Sequence, residues 1–252
     1  MTHKESRVYP PSYPHDPITR IFDNIYLVHG SIRMGPGMSM NRNMLIVREG
    51  DELTLINPVR INEEELKKLD GMGVVRHVVR LGDFHGLDDP FYVDRYQAEF
   101  WCQAGQSTYK IPSPTHLVSA TAIPPMSDAA FFVFAQAKFP EAALLLKAHK
   151  LLVTTDSLQY WADWSYTSPF TKCVLWLMGF RLNGFIGGPW LKRVTPDKAS
   201  LLPDFERLQT LDFDHFVAAH GRLLRNNAKP MLQAAMVRTF GSASKAVQAN
   251  AD

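Results

Sequence analysis

Hydrophobic positions along this chain fall into short runs separated by polar or Gly/Pro breaks, a spacing that predicts strands more often than long helices. Ile21-Phe22 and Ile25-Tyr26-Leu27-Val28-His29 predict strands closing at Gly30. Residues 31–42, Ser-Ile-Arg-Met-Gly-Pro-Gly-Met-Ser-Met-Asn-Arg, are rich in Gly and Met and predict a loop. Two strands follow, Asn43 to Arg48 and Glu52 to Asn57, joined by a Glu49-Gly50-Asp51 turn and stopped by Pro58. Asn62 to Asp70 reads as an N-capped helix with acids in its first turn, ended by Gly71 and Gly73.

The apolar run Val74 to Leu81 predicts a buried strand, followed by the polar loop Gly82-Asp83-Phe84-His85-Gly86-Leu87-Asp88-Asp89. Pro90 to Tyr96 predicts a short helix, Ala98 to Cys102 a strand and residues 103–129 a loop. Ala130 to Ala135, Ala142 to Leu146 and Leu151 to Thr155 predict three strands in succession. Beyond them come a helix over Phe170 to Phe180, a loop at Gly187-Gly188-Pro189-Trp190, and a helix opened by Thr195-Pro196 and running to Leu211. A strand to Ala219 and a helix over Lys229 to Phe240 complete the pattern. Residues 1–17 read as an extended N-terminal arm, 18–240 as one domain, and 241–252 as a flexible tail. The order of elements predicts an α+β sandwich, mostly antiparallel, with helices on its outer faces.

Three strands end in polar residues of the same kind. The first runs into Asp83, His85, Asp88 and Asp89; the second, Leu151-Leu152-Val153-Thr154-Thr155, ends in Asp156; the third, Phe213 to Ala219, ends in His220-Gly221. Rigid strands feeding polar loops are where chemistry is usually placed, so these three ends are expected to meet at one site.

Composition narrows the chemistry. The chain has 252 residues, 46% hydrophobic and 21% charged, which is ordinary for a folded domain. A net charge of +2 gives no electrostatic case for nucleic acid or membrane as partner. Two cysteines, Cys102 and Cys173, are too few for a disulfide framework or a zinc-thiolate knuckle. The first residues lack an apolar signal core, and the apolar stretch 173–188 is broken by Arg181 and Asn183. The expectation is a cytoplasmic protein acting on a small molecule. No Gly-x-Ser-x-Gly elbow or phosphate-cradling loop is present.

The order of elements and the three polar strand ends resemble the metallo-β-lactamase superfamily over residues 18–240. That resemblance implies a four-layer αββα sandwich. Where the superfamily has Asp-Thr-Gly after an early hairpin, this chain has Ile56-Asn57-Pro58. Its His-x-His-x-Asp-His loop corresponds to the stretch from Asp83 to Asp89, with Asp83 at the first His and His85 at the second. In strict register the signature Asp and last His fall on Leu87 and Asp88; one inserted residue moves them to Asp88 and Asp89. Its bridging Asp resembles Asp156, and its terminal Gly-His-Gly resembles Ala219-His220-Gly221. The third-motif His has no counterpart near Lys138-Phe139-Pro140-Glu141.

The resemblance implies a divalent ion held by His85, Asp156 and His220; Asp83 or Asp88 offers a fourth ligand, and the spare carboxylate, best Asp88, a proton shuttle. Zinc is the leading metal, and two His with one carboxylate also suit iron or manganese. The implied activity is hydrolysis of an ester, lactone, thioester or phosphoester at an atypical, mononuclear site. The alternative is a binding or scaffolding protein that keeps the fold but has lost the metal. Each residue also has a plain structural role open to it: a loop His bonded to backbone, helix caps for Asp83, Asp88 and Asp89, a turn at His220-Gly221. The aromatic segment 157–192, expected as a helical insertion, contains Trp161, Trp164, Trp176 and Trp190. It reads either as a substrate wall, with Trp161 and Trp164 touching substrate, or as a packed layer or homodimer interface.

Overall fold

The computed structural model describes residues 7–241. The first sheet contains β1 (Thr19–Phe22), β2 (Ile25–Gly35), β3 (Met38–Glu49), β4 (Glu52–Ile56), β5 (Val74–Val79), β6 (Glu99–Cys102) and β7 (His116–Leu117), adjacent in that order. Helix α1 (Glu63–Met72) carries the chain from β4 to β5, and α2 (Asp89–Tyr96) from β5 to β6. The second sheet contains β8 (Ala129–Val133), β9 (Ala142–Leu146), β10 (Leu151–Thr154) and β13 (His215–Ala218), in the order β13-β10-β9-β8. Between β10 and β13 the chain forms a two-stranded ribbon, β11 (Leu158–Tyr160) with β12 (Gly184–Ile186). Helix α3 (Pro169–Leu177) lies between the ribbon strands in sequence, and α4 (Gly188–Val194), α5 (Leu202–Gln209) and α6 (Ala228–Phe240) complete the fold.

Strand alternation builds three apolar layers. Leu45 and Val47 of β3 join Leu144, Leu146, Val153 and Val217 between the sheets. Their neighbours Met44 and Ile46 face the other way, against Leu66 and Leu69 of α1 and Phe91 and Tyr92 of α2. On the far side Leu145, Leu152 and Phe216 pack on Trp190, Phe205, Leu208 and Leu232 from α4, α5 and α6. β9 and β10 are thus buried on both faces, which is why they read as continuous apolar runs, whereas β5 also carries exposed Arg76. The result is the expected αββα sandwich.

The structure departs from the sequence reading in three places, but not in its sheets, which are mostly antiparallel as expected: among the described residues six of the ten strand pairings are antiparallel and four are parallel. Helical crossovers return the chain to the same edge, and that geometry forces parallel neighbours. Residues 31–42 are mostly strand, because Ser31, Ile32 and Arg33 pair with Asn41, Met40 and Ser39. Only Pro36-Gly37 turns, since backbone pairing does not require apolar side chains. The stretch at 188–194 is helix α4 rather than loop, and Thr195 ends it instead of capping the next helix. Finally, the segment 157–192 is a ribbon wrapped around one helix rather than a wholly helical insertion.

From Arg7 onward the arm is tied down: Arg7 and Tyr9 both bond Asp94, and His15 Nε2 accepts from the Asn62 backbone N–H at 2.9 Å. Of the expected tail, residues 242–252 lie outside the described residues. No helix among the described residues is long and apolar enough to cross a membrane.

Candidate metal centre

β10 and β13 are parallel neighbours, with Thr154 opposite Ala218. Two residues past each, Asp156 and His220 emerge at the same height. The third strand end comes from the other sheet. Gly82 bridges Glu141, Ala142 N donates to Leu81 O at 2.7 Å, and Asp83 N donates to Pro140 O at 3.0 Å. The loop after β5 is therefore sewn to the start of β9, which brings His85 over Asp156. Ligand atoms of His85, Asp156 and His220 all lie within 4.8 Å of one another. His85 Nε2 is 3.1 Å from Asp156 Oδ2, and His220 Nε2 is 3.5 Å from Asp156 Oδ1.

Each side chain is held from behind. His220 Nδ1 donates to the Asn41 carbonyl at 2.6 Å, and Gly221 N donates to Asn41 Oδ1 at 2.6 Å. Asn43 Nδ2 donates to the carbonyls of Ala218 and Gly221 at 2.7 and 3.0 Å. Gly221 has φ +86°, and a Cβ there would collide with the Tyr160 carbonyl, so only glycine fits the turn that presents His220. Gln159 Nε2 donates to Asp156 Oδ1 at 3.2 Å and is itself fixed by Trp161 Nε1, which donates to Gln159 Oε1 at 2.9 Å.

The electrostatics suit a cation. Burial draws the His220 imidazole down to about 4 against the opposing pull of Asp156 and of the Asn41 hydrogen bond, with the charges of His85 and Arg42 adding smaller pushes in the same direction as burial. His220 is therefore neutral at pH 7. Its Nδ1 hydrogen is spent on a carbonyl, so Nε2 presents a lone pair. Burial works to raise Asp156, but the charge and hydrogen bond of His85, then the charges of His220 and Arg42, hold it at about 2. A lone pair thus faces a carboxylate oxygen at 3.5 Å with no proton between them. Two acceptors at that separation repel, and a divalent ion held by His85, Asp156 and His220 would offset that repulsion. The donor set fits the ion that the resemblance implies.

Asp83 and Asp88 are placed elsewhere. The Asp83 carboxylate accepts from the backbone and hydroxyl groups of both Ser107 and Thr108 at 2.5 to 3.2 Å, and it is not one of the three converging donors. Asp88, expected as a proton shuttle, bonds buried Arg42 Nη1 at 2.9 Å and the N–H of half-buried Arg60 at 3.2 Å. It caps no helix through its side chain. Asp89 pairs with buried Arg80 at 2.6 Å.

Two cavities adjoin the cluster. One, of about 360 Å³, is walled by Met34, Met38, Met40, Val174, Leu175 and Phe180, and reaches Asp156 and His220. The other, of about 300 Å³, shares those two residues and adds His85, Arg42 and Tyr109. Trp161 and Trp164 line neither. Trp161 is buried behind Gln159, and Trp164 borders a separate cavity beside Tyr166 and Lys172. Trp190 does line the apolar cavity, and its buried Nε1 has no partner among the described residues.

Sequence reasoning missed Asn41, Arg42, Asn43 and Gln159. The signal was present in Met40-Asn41-Arg42-Asn43-Met44: polar residues two apart share one face of a strand. Reading Asn41 and Arg42 as loop hid it.

No family model matches the chain, and no curated protein does. Solved structures do. The metallo-β-lactamase FIM-1 from Pseudomonas aeruginosa, in its mono-zinc form, superposes with a TM-score of 0.61 at 10% identity, over 94% of this chain and 98% of that one. The DIM-1 metallo-β-lactamase gives 0.62 at 10% identity, over 93% and 98%. A metallo-β-lactamase from Erythrobacter litoralis gives 0.56 at 8%, over 89% and 94%.

Proposed function

We propose that this chain, which has the metallo-β-lactamase fold, is a hydrolase using one divalent metal ion held by His85, Asp156 and His220. The observation that carries the reading is the convergence of His85 Nε2, 3.1 Å from Asp156 Oδ2, and His220 Nε2, 3.5 Å from Asp156 Oδ1, with Asp156 and His220 lining an apolar cavity. A mono-zinc form of a protein with this fold is known for FIM-1, which supports a single-ion site. The finer choice of zinc over iron or manganese follows only from zinc's preference for few His and carboxylate ligands.

A divalent ion there supplies Lewis acidity for attack of water on a carbonyl or phosphoryl centre. The chain's own residues do the rest. Asn41 and Asn43 fix the ring of His220. Gln159 and Trp161 fix the carboxylate of Asp156, so the donors need no reorganisation on binding. Arg42, ion-paired with Asp88 Oδ2 and held by the Pro58 carbonyl at 3.0 Å, lines the second cavity in a fixed position. The Met-walled cavity accepts the apolar part of the substrate, and its volume of about 360 Å³ suits a small acyl or alkyl group. An ester, lactone or thioester fits this pairing of apolar pocket and single cation better than a multiply charged phosphoester.

Purified protein dialysed against zinc is expected to retain about one equivalent of metal. His85→Ala and His220→Ala should each bind it at least about 10-fold more weakly, and hydrolysis of model acyl esters should fall in parallel. Full hydrolysis by metal-free protein would refute the proposal.

A second reading, a binding protein without metal, draws on the His85–Asp156 contact at 3.1 Å, which is also a good hydrogen bond. It requires that neither zinc, iron nor manganese be retained.

A further inference from the structure

Among the described residues eleven large hydrophobic side chains are strongly exposed, and five of them lie between residues 170 and 182: Phe170, Trp176, Leu177, Met178 and Leu182. Trp176 is 55% exposed and Leu177 72%. They surround α3, whose opposite side closes the apolar cavity through Thr171, Val174 and Leu175. Exposed Met34, at the tip of the β2–β3 hairpin, lines the same cavity.

The charge around this patch is of one sign. Between Asp163 and Asp197 the chain carries four cations, Lys172, Arg181, Lys192 and Arg193, and no carboxylate. Arg33 on the hairpin borders the same cavity as Lys172, and Lys192 and Arg193 flank Met178. None of these five cations makes an ion pair among the described residues, whereas twelve Arg and Lys residues elsewhere do. Arg181 instead lies over the Trp176 ring at 4.7 Å. The net charge of +2 conceals this local excess.

We propose that the α3 face and the hairpin tip dock on a lipid surface carrying anionic headgroups, so that the apolar cavity opens toward the bilayer. Large apolar side chains with a tryptophan, ringed by Lys and Arg that snorkel to headgroups, are what an interfacial segment requires. Charge decides against a second copy of the chain. A two-fold interface would set this patch against itself, bringing ten cations together with no acid from either segment. An anionic bilayer neutralises the same cations and covers the apolar side chains. The inference does not depend on catalysis, because the docking residues are not metal ligands.

Full-length protein is sedimented with phosphatidylcholine vesicles, with and without phosphatidylglycerol. The expected result is binding to the anionic vesicles, weakened by added salt and much weaker on phosphatidylcholine alone. Lys192→Glu should reduce partitioning by at least about fivefold, since each cation near the surface contributes about that factor. Leu177→Glu should lose binding while retaining the far-ultraviolet spectrum and metal content of the wild type, because Leu177 is exposed. Labelling Cys173, which is exposed while Cys102 is buried, with an environment-sensitive dye should give a blue shift on anionic vesicles. Absence of anionic-vesicle binding, equal binding to both vesicle types, or a solution dimer that Leu177→Glu dissociates would each overturn the docking proposal and leave the hydrolase reading to its own metal test.

Discussion

Glu141 is a buried carboxyl that accepts from Thr155 Oγ1 at 2.5 Å and Ser157 N at 3.3 Å, the two residues flanking Asp156. It thereby sets the turn that presents the proposed ligand. Burial first, and the charge of Asp156 second, push it up to about 8 from an ordinary 4.5. Between those values the folded chain holds a proton that the unfolded chain has released. Its contribution to stability is therefore complete below pH 4.5 and is lost as pH rises through 8. The loss is at most about 5 kcal/mol, and Glu141→Gln, which cannot ionise, should abolish it. Urea midpoints of metal-free protein across that window check this; an unchanged pH slope in the variant would contradict it. Asp83 makes the opposite case. It was expected as a ligand, yet four donors from Ser107 and Thr108 surround it. Asp83→Ala should cost about 1–3 kcal/mol by orphaning those donors, with metal content unchanged. Loss of metal in that variant would restore Asp83 to the site.

At the scale of elements, the loop after β5 is held by one guanidinium. Arg80, almost fully buried, donates to Asp89 Oδ2 at 2.6 Å and to the carbonyls of Tyr109 and Ile111 at 2.7 and 3.1 Å. Gly86 packs directly on that guanidinium, and a Cβ there would collide with it. The arrangement ties the start of α2, the signature loop and the 103–115 segment together. Asp89 before Pro90 reads as a helix cap from sequence, and caps contribute about 1 kcal/mol. An acid that neutralises a buried guanidinium matters more: Asp89→Ala should cost about 3–5 kcal/mol, because it strands the charge. Thermal unfolding decides between the two figures. The β2–β3 hairpin shows the converse limit. Its pairing through Ile32 and Met40 depends on backbone partners, and its methionines face a cavity rather than the core. Ile32 and Met34, and Met38 and Met40, do alternate with polar residues, but the Gly35-Pro36-Gly37 break between them hid the period.

At the scale of the molecule, three apolar layers are separated by two sheets. Leu66 packs between α1 and the first sheet, and Leu144 packs between the sheets. Each Leu→Ala change should cost about 2–5 kcal/mol. The layers do not share partners, so the double variant should be additive within about 0.5 kcal/mol. Denaturant unfolding of both singles and the double tests this. A large coupling would mean that the layers yield together rather than separately. The site sits where the strand ends of both sheets meet, so core variants are expected to lower stability without moving the donors of His85, Asp156 and His220.

Sequence alone determined most of the sandwich. Central strands buried on both faces must be apolar throughout, and the turns and the α1 cap carry their own residue signatures. It also marked His85, Asp156 and His220 as candidates, each lying just past one of three apolar strands. What only the tertiary structure decided was which acids stay free. Asp83, Asp88 and Asp89 look alike along the chain, but Ser107, Arg42 and Arg80 claim one each, and those partners come from distant segments. The parallel register of β10 with β13, which levels Asp156 with His220, is likewise a pairing between strands some sixty residues apart, and no local pattern encodes such a contact.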